Sequence, residues 1–205
     1  HCEHPGQSLL RLGERLQQGE CGIASYYRFS IEPGDRVAGR KSVRIRIDPR
    51  DMYRHGYIMA LDKKTGLLLK TETLGHGARS LEKFQFANLA LTDRIPQVNT
   101  EVELLHEAEH PHPMEPSQDL AVSRPWAVNW VPKGFAMTDN PAQTSSRRTY
   151  TDGLAVFSVF LEELEQPIQP GEGLVRRGGT TSYTRGMQLS KSPVLVTVLG
   201  EVPTN

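Results

Sequence analysis

The residues best suited to chemistry in this chain are its histidines and arginines. His106 and His110 stand at i and i+4, the helical spacing at which two imidazoles share a metal, with Glu107, Glu109 and His112 beside them. Pro111 and Pro113 stop any helix there, and a loop supplies no second shell to fix ligands. They read as solvated histidines of a tether, so no metal and no other cofactor is expected. His1 and His4 flank Cys2, but no scaffold orients them for nucleophilic work. A Gly-x-Ser-x-Gly elbow is missing, and Arg176-Arg-Gly-Gly-Thr180 lacks the lysine and the strand-to-helix setting of a phosphate loop. Glu162 and Glu163 read as a solvated strand end. No catalytic residue is nominated, and an enzyme is not expected.

Binding is the better use of the remaining chemistry. Arg40, Lys41, Arg44, Arg46, Arg50 and Arg54 form a basic cluster that could grip phosphates or carboxylates bidentately, but strand alternation already assigns polar residues to an outer face. A solvated face is the reading taken. Aromatic and arginine side chains dominate binding hot spots, so Trp126, Trp130, Phe135, Arg147 and Arg148 are nominated as a partner-binding surface, with core packing as the competing role for the aromatics. Tyr57, Met59, Leu67, Leu69, Phe84 and Phe86 are nominated as the lining of an apolar pocket, again against a plain core.

These side chains need strands to position them. Val43, Ile45 and Ile47 alternate with polar residues, and Tyr57, Met59 and Leu61 repeat the pattern. Asp62-Lys-Lys-Thr-Gly66 predicts a hairpin turn with Gly66 at positive φ, Leu67 to Leu74 its second arm, and Glu82 to Ala87 a further strand after Gly75-His-Gly77. The result is a meander of four or five antiparallel strands. Leu9, Leu12 and Leu16 fall at helical spacing, so 8–18 is expected to be a short helix or, because Gly13 interrupts it, a pair of turns. A second strand set opens near Trp126. Arg147–Thr151 is a strand, Asp152-Gly153 a tight reversal, Leu154–Leu161 a central strand covered on both faces, Pro167–Gly173 a loop, Thr180–Arg185 a polar strand and Val194–Leu199 a buried one.

The 24 basic and 24 acidic residues balance, so no field advertises a nucleic-acid partner. Residues 94–123 stand apart, with one basic residue against six acidic ones and several prolines. Domains are accordingly expected at 1–95 and 124–205, joined by an acidic, Pro-rich linker over 96–123. No apolar run is long enough to cross a membrane as a helix. The opening His1-Cys2 in place of a methionine suggests a removed leader or a fragment. A Cys2–Cys21 bridge would close a loop of about 20 residues and contribute roughly 3 kcal/mol in an oxidising compartment; two unpaired thiols are the alternative.

Asp35-Arg-Val-Ala-Gly-Arg40, Asp48-Pro-Arg-Asp51, Arg54-His-Gly-Tyr57, Leu61-Asp-Lys-Lys-Thr-Gly-Leu67 and Leu81-Glu-Lys-Phe-Gln-Phe86 stand in that order before three further blocks. Those are Trp126-Ala-Val-Asn-Trp130-Val-Pro-Lys-Gly-Phe135, Tyr150 to Leu161 and Val194 to Pro203. Together they resemble the RseB/MucB family of periplasmic sigma-E regulators. The resemblance implies an α+β, mostly antiparallel β fold: part of an unclosed β-barrel like that of LolA and LolB, then a small β-rich C-terminal domain. It implies a periplasmic negative regulator of the envelope stress response that binds the periplasmic region of an RseA/MucA-like anti-sigma factor, shields it from proteolysis, and is released by lipid or lipopolysaccharide. A periplasmic lipid or lipoprotein carrier is the rival reading, and self-association is left open. The family's first domain begins about a hundred residues before the region matched here, so the barrel is expected to be partial.

Overall fold

The computed structural model describes residues 22–89, 122–138, 140–166 and 171–204. The helix or pair of turns expected over 8–18, both cysteines, the five histidines considered as ligands and most of the acidic linker lie outside them. Among the described residues there are two open antiparallel sheets, and helix is limited to short 3-10 turns at Gly22–Ser25 and His76–Ala78.

The first sheet is an up-and-down meander of β1 (Tyr27–Val37), β2 (Arg40–Pro49), β3 (Gly56–Asp62), β4 (Leu68–Leu74) and β5 (Ser80–Gln85). Phe29 pairs with Ile47 and Ile47 with Tyr57, which puts the three on one face, where they pack with Ala24 and Tyr27. On the other face Arg44 pairs with Glu32 across the strands, and Arg46 with Asp48 along its own. The turn after β3 is built as its sequence predicts. Gly66 has φ 75°, its N–H donates to the Asp62 carbonyl, and the Asp62 N–H donates to that of Leu67. The Asp62 carboxylate accepts from Arg40 at 2.6 Å and from the hydroxyl and N–H of Thr65, which holds its pKa down at about 2.

β1 is the strand that alternation leaves unmarked, because Pro33-Gly34 interrupts it. An edge strand tolerates both residues at a bulge, and the register shifts between Pro33 and Arg36. Gly34 passes so close to Ser42 that a Cβ there would collide with it.

The second sheet runs in the order β6-β7-β8-β11-β10-β9, from β6 (Ala136–Met137), β7 (Arg147–Thr151), β8 (Val156–Glu163), β9 (Glu172–Arg177), β10 (Thr180–Leu189) and β11 (Ser192–Gly200). Two expectations are corrected here. β8 is central but not covered on both faces: Phe157, Val159 and Leu161 are buried, whereas Val156 is exposed and Phe160 only half-buried. The last two residues of the loop expected over Pro167–Gly173, Glu172 and Gly173, belong to β9, residues 167–170 lie outside the described residues, and β10 runs on to Leu189. Both changes come from tight two-residue turns. Gly178-Gly179 joins β9 to β10 with Gly178 at φ 60°, and Ser190-Lys191 joins β10 to β11 with φ 49° and 73°.

Candidate functional site

One face of the second sheet forms the floor of an open apolar trough of about 870 Å³. Register explains its composition. Val159, Val198, Tyr183 and Leu174 stand side by side across β8, β11, β10 and β9, and alternation along β8 and β11 adds Phe157, Leu161, Val194 and Val196 to the same face. Strands here approach closely: a Cβ at Gly200 would collide with Phe157. The stretch 126–132 forms one wall, Val202 to Thr204 contribute another part of the rim, and Tyr53 reaches in from the loop between β2 and β3 of the first sheet. Val122 packs on Leu161 and Val194. Polar groups are few, with Arg176, at the β9 edge, the one cation in the lining among the described residues.

Beside the trough lies the junction between the two sheets. The Arg54 guanidinium is fully buried and spends its donors on three partners: Asp152 at 2.6 Å, Asp51 at 2.5 Å and the Lys133 carbonyl at 2.7 Å. Its planar faces are occupied by the rings of Tyr26 and Phe135, each 4.6 Å from the guanidinium carbon. Asp152, also fully buried, accepts in addition from the Tyr27 hydroxyl at 2.8 Å and from the N–H groups of Leu154 and Ala155. Burial and the Asp152 carboxylate push the Tyr27 phenol far above its ordinary value, so it stays a donor. Gly134 passes over Tyr26 with φ 96° and no room for a Cβ. A second contact joins the same domains, where the Gly179 N–H donates to Glu82 at 3.2 Å.

The nominated surface residues divide between these features. Trp126 is in the trough wall, its indole N–H bonded to the Ser145 carbonyl and its ring under the Arg148 guanidinium at 4.7 Å. Arg148 is buried and donates to the carbonyls of Gln143, Ser145 and Arg147, so it ties down the loop before β7. Arg147 pairs with Phe160, on the opposite face. Trp130 is 64% exposed at the rim, edge-on to Tyr53 with centroids 5.4 Å apart. Phe135 is core, against Phe157.

The six nominated pocket residues lie in three places. Tyr57 and Met59 belong to the first core, Leu69 packs with Val37 and Ala60, and Leu67, Phe84 and Phe86 are exposed, the two phenylalanines touching edge to face. Of the basic cluster, Arg44 and Arg46 do lie outward, but Arg54 does not. It was unremarkable in sequence because Asp152, its decisive partner, is 98 residues away. Asp51, three residues before it, was the one local signal.

The two halves of this architecture match family models separately. Residues 5–104 match the MucB/RseB N-terminal domain and residues 121–205 the MucB/RseB C-terminal domain. A crystal structure of MucB, 32% identical, superposes with a TM-score of 0.58 over 97% of this chain and 68% of that one. The chain belongs to the MucB/RseB family. Relatives in it include the sigma factor AlgU regulatory protein MucB of Pseudomonas aeruginosa, 34% identical over 188 residues. Another is the sigma-E factor regulatory protein RseB of Haemophilus influenzae, 27% identical over 192 residues. Each match covers 88% of this chain but only 58% and 57% of the relative, so the chain spans little more than half the length of these MucB/RseB proteins. A structure of MucB in complex with MucA(peri) is 34% identical, with a TM-score of 0.66 over 88% of this chain and 64% of that one.

Proposed function

We propose that this chain is a negative regulator of a sigma-E-type envelope stress response. It binds the periplasmic region of a membrane-anchored, RseA/MucA-like anti-sigma factor and shields it from proteolysis. The observation that carries this reading is the trough: an open apolar surface of about 870 Å³, with its rim shared by both domains, suited to holding a polypeptide segment. The family membership supports it, as does the existence of a MucB structure with MucA(peri). On this reading the protein works in the periplasm, is not an enzyme, and uses its first sheet as part of an unclosed LolA-like barrel. The partner-facing side chains are those of the rim, Trp126 and Trp130 among them.

The test is a pull-down with the periplasmic region of such an anti-sigma factor, paired with cleavage of that region by its first regulatory protease. Capture and slowed cleavage are expected, both weakened by Trp130→Ala and by Met187→Asp, since both side chains are exposed at the trough. Undiminished cleavage with the protein in excess overturns the reading. The same apolar lining favours one second reading, a lipid-binding site. If vesicles of lipopolysaccharide displace the anti-sigma segment, lipid acts as the releasing ligand, by competing for the free regulator.

A further inference from the structure

The trough ends at a strand edge, and among the described residues that edge is open. β9 pairs with β10 alone among the described residues, and all six of its residues are exposed. It carries no proline, and its charges are confined to its two ends, Glu172 at one and Arg176-Arg177 at the other, with Gly173, Leu174 and Val175 between them. The other edge of the sheet, β6, is two residues long and offers little to pair with.

The direction of the free backbone groups follows from the turns. A two-residue turn at Gly178-Gly179 makes Arg177 and Thr180 a hydrogen-bonded pair, so Val175 and Gly173 also bond to β10. The turn at Ser190-Lys191 independently assigns Leu189, Met187, Arg185 and Tyr183 to bonds with β11, leaving the even-numbered residues of β10 to β9. The two assignments agree. The N–H and carbonyl groups of Glu172, Leu174 and Arg176 therefore face outward, with no strand beside them among the described residues, and the side chains of Leu174 and Arg176 are those that line the trough.

Resting on the functional reading above, the geometry points to β9 as the place where an extended segment of the anti-sigma factor adds a seventh strand to the sheet. Every second side chain of such a segment falls on the trough face, next to Leu174, and the intervening ones face solvent. Charge adds a requirement. Glu172 is already paired with Arg185 at 3.4 Å, whereas Arg176 and Arg177 have no carboxylate partner among the described residues, Arg176 being bonded to the Thr204 hydroxyl. The occupant is thus an extended peptide with alternating apolar residues and a carboxylate opposite the arginine end of β9.

Proline at 174 removes an outward N–H without touching the β9–β10 ladder, and alanine removes the same side chain while keeping that N–H. The 205-residue chain and its Leu174→Pro and Leu174→Ala variants are titrated with the purified periplasmic region of an RseA/MucA-like anti-sigma factor. Leu174→Pro is expected to bind about tenfold more weakly than Leu174→Ala. Amide exchange on the unsubstituted chain serves as a measurement that no folding defect can blur: the N–H groups of Leu174 and Arg176 are expected to slow about tenfold or more in the complex. Equal affinities of the two variants, or unchanged exchange at both amides in a complex that does form, overturn strand addition alone. Failure of the unsubstituted chain to bind overturns the functional reading, and strand addition with it.

Discussion

At the scale of single residues, the junction depends on Arg54. A buried ion pair is at best weakly stabilising as a whole, yet removing one partner strands the other charge in a dry site. Arg54→Met leaves Asp152 buried and keeps only its bonds to Tyr27, Leu154 and Ala155. The expected loss is about 3–5 kcal/mol, read by denaturant unfolding. Tyr27→Phe removes one hydrogen bond to a charged acceptor and should cost about 1.5–3 kcal/mol. A smaller loss from Arg54→Met than from Tyr27→Phe would contradict this ranking. Asp62 offers a test by pH. Its folded pKa is depressed to about 2 from an ordinary 3.8, through the bonds from Arg40 and Thr65, so its contribution is full above pH 3.8 and fades as pH falls toward 2. Asp62→Asn should flatten that part of the acid-stability curve.

At the scale of elements, turns decide what could be read from sequence. Asp62 to Gly66 announced its hairpin because glycine sits where φ must be positive, and β2 and β3 followed from alternation. β1 did not, since Pro33-Gly34 hides an edge strand. The reach of β10 did not either, since Ser190-Lys191 takes a turn that glycine or asparagine usually occupies, at φ 49° and 73°. That local strain is a usable lever. Lys191→Gly should relieve about 1 kcal/mol and raise the melting temperature by roughly 2–4 °C, measured by thermal unfolding. No rise would mean that the turn is held by more than its backbone. The trough shows the other limit of sequence reading. Its aromatic wall at Trp126 was legible as a local cluster, but its floor arises from the pairing of β8 with β11 and β11 with β10, which no local pattern specifies.

At the scale of the whole molecule, the two sheets are joined among the described residues at Arg54–Asp152, at the Tyr53–Trp130 ring contact, and where the β9–β10 turn touches Glu82. Tyr53, one residue from Arg54, stands in the trough, so whatever shifts the junction shifts the rim. His55 couples this arrangement to pH. It is buried, and burial lowers its pKa below 6.5, aided by nearby His76 and only partly opposed by the Gly179 backbone. The sign follows from linkage. A depressed folded pKa means that the unfolded chain takes up the proton first, so the stability from neutral His55 is complete above pH 6.5 and declines as pH falls through the folded value. The loss therefore precedes that of Asp62, which sets in only below pH 3.8. Unfolding titrations at pH 7.5, 6 and 5 should show the chain losing stability across that interval, and His55→Gln, which has no proton to gain there, should lose less. Equal pH profiles for the two proteins would place the acid sensitivity elsewhere than at this histidine.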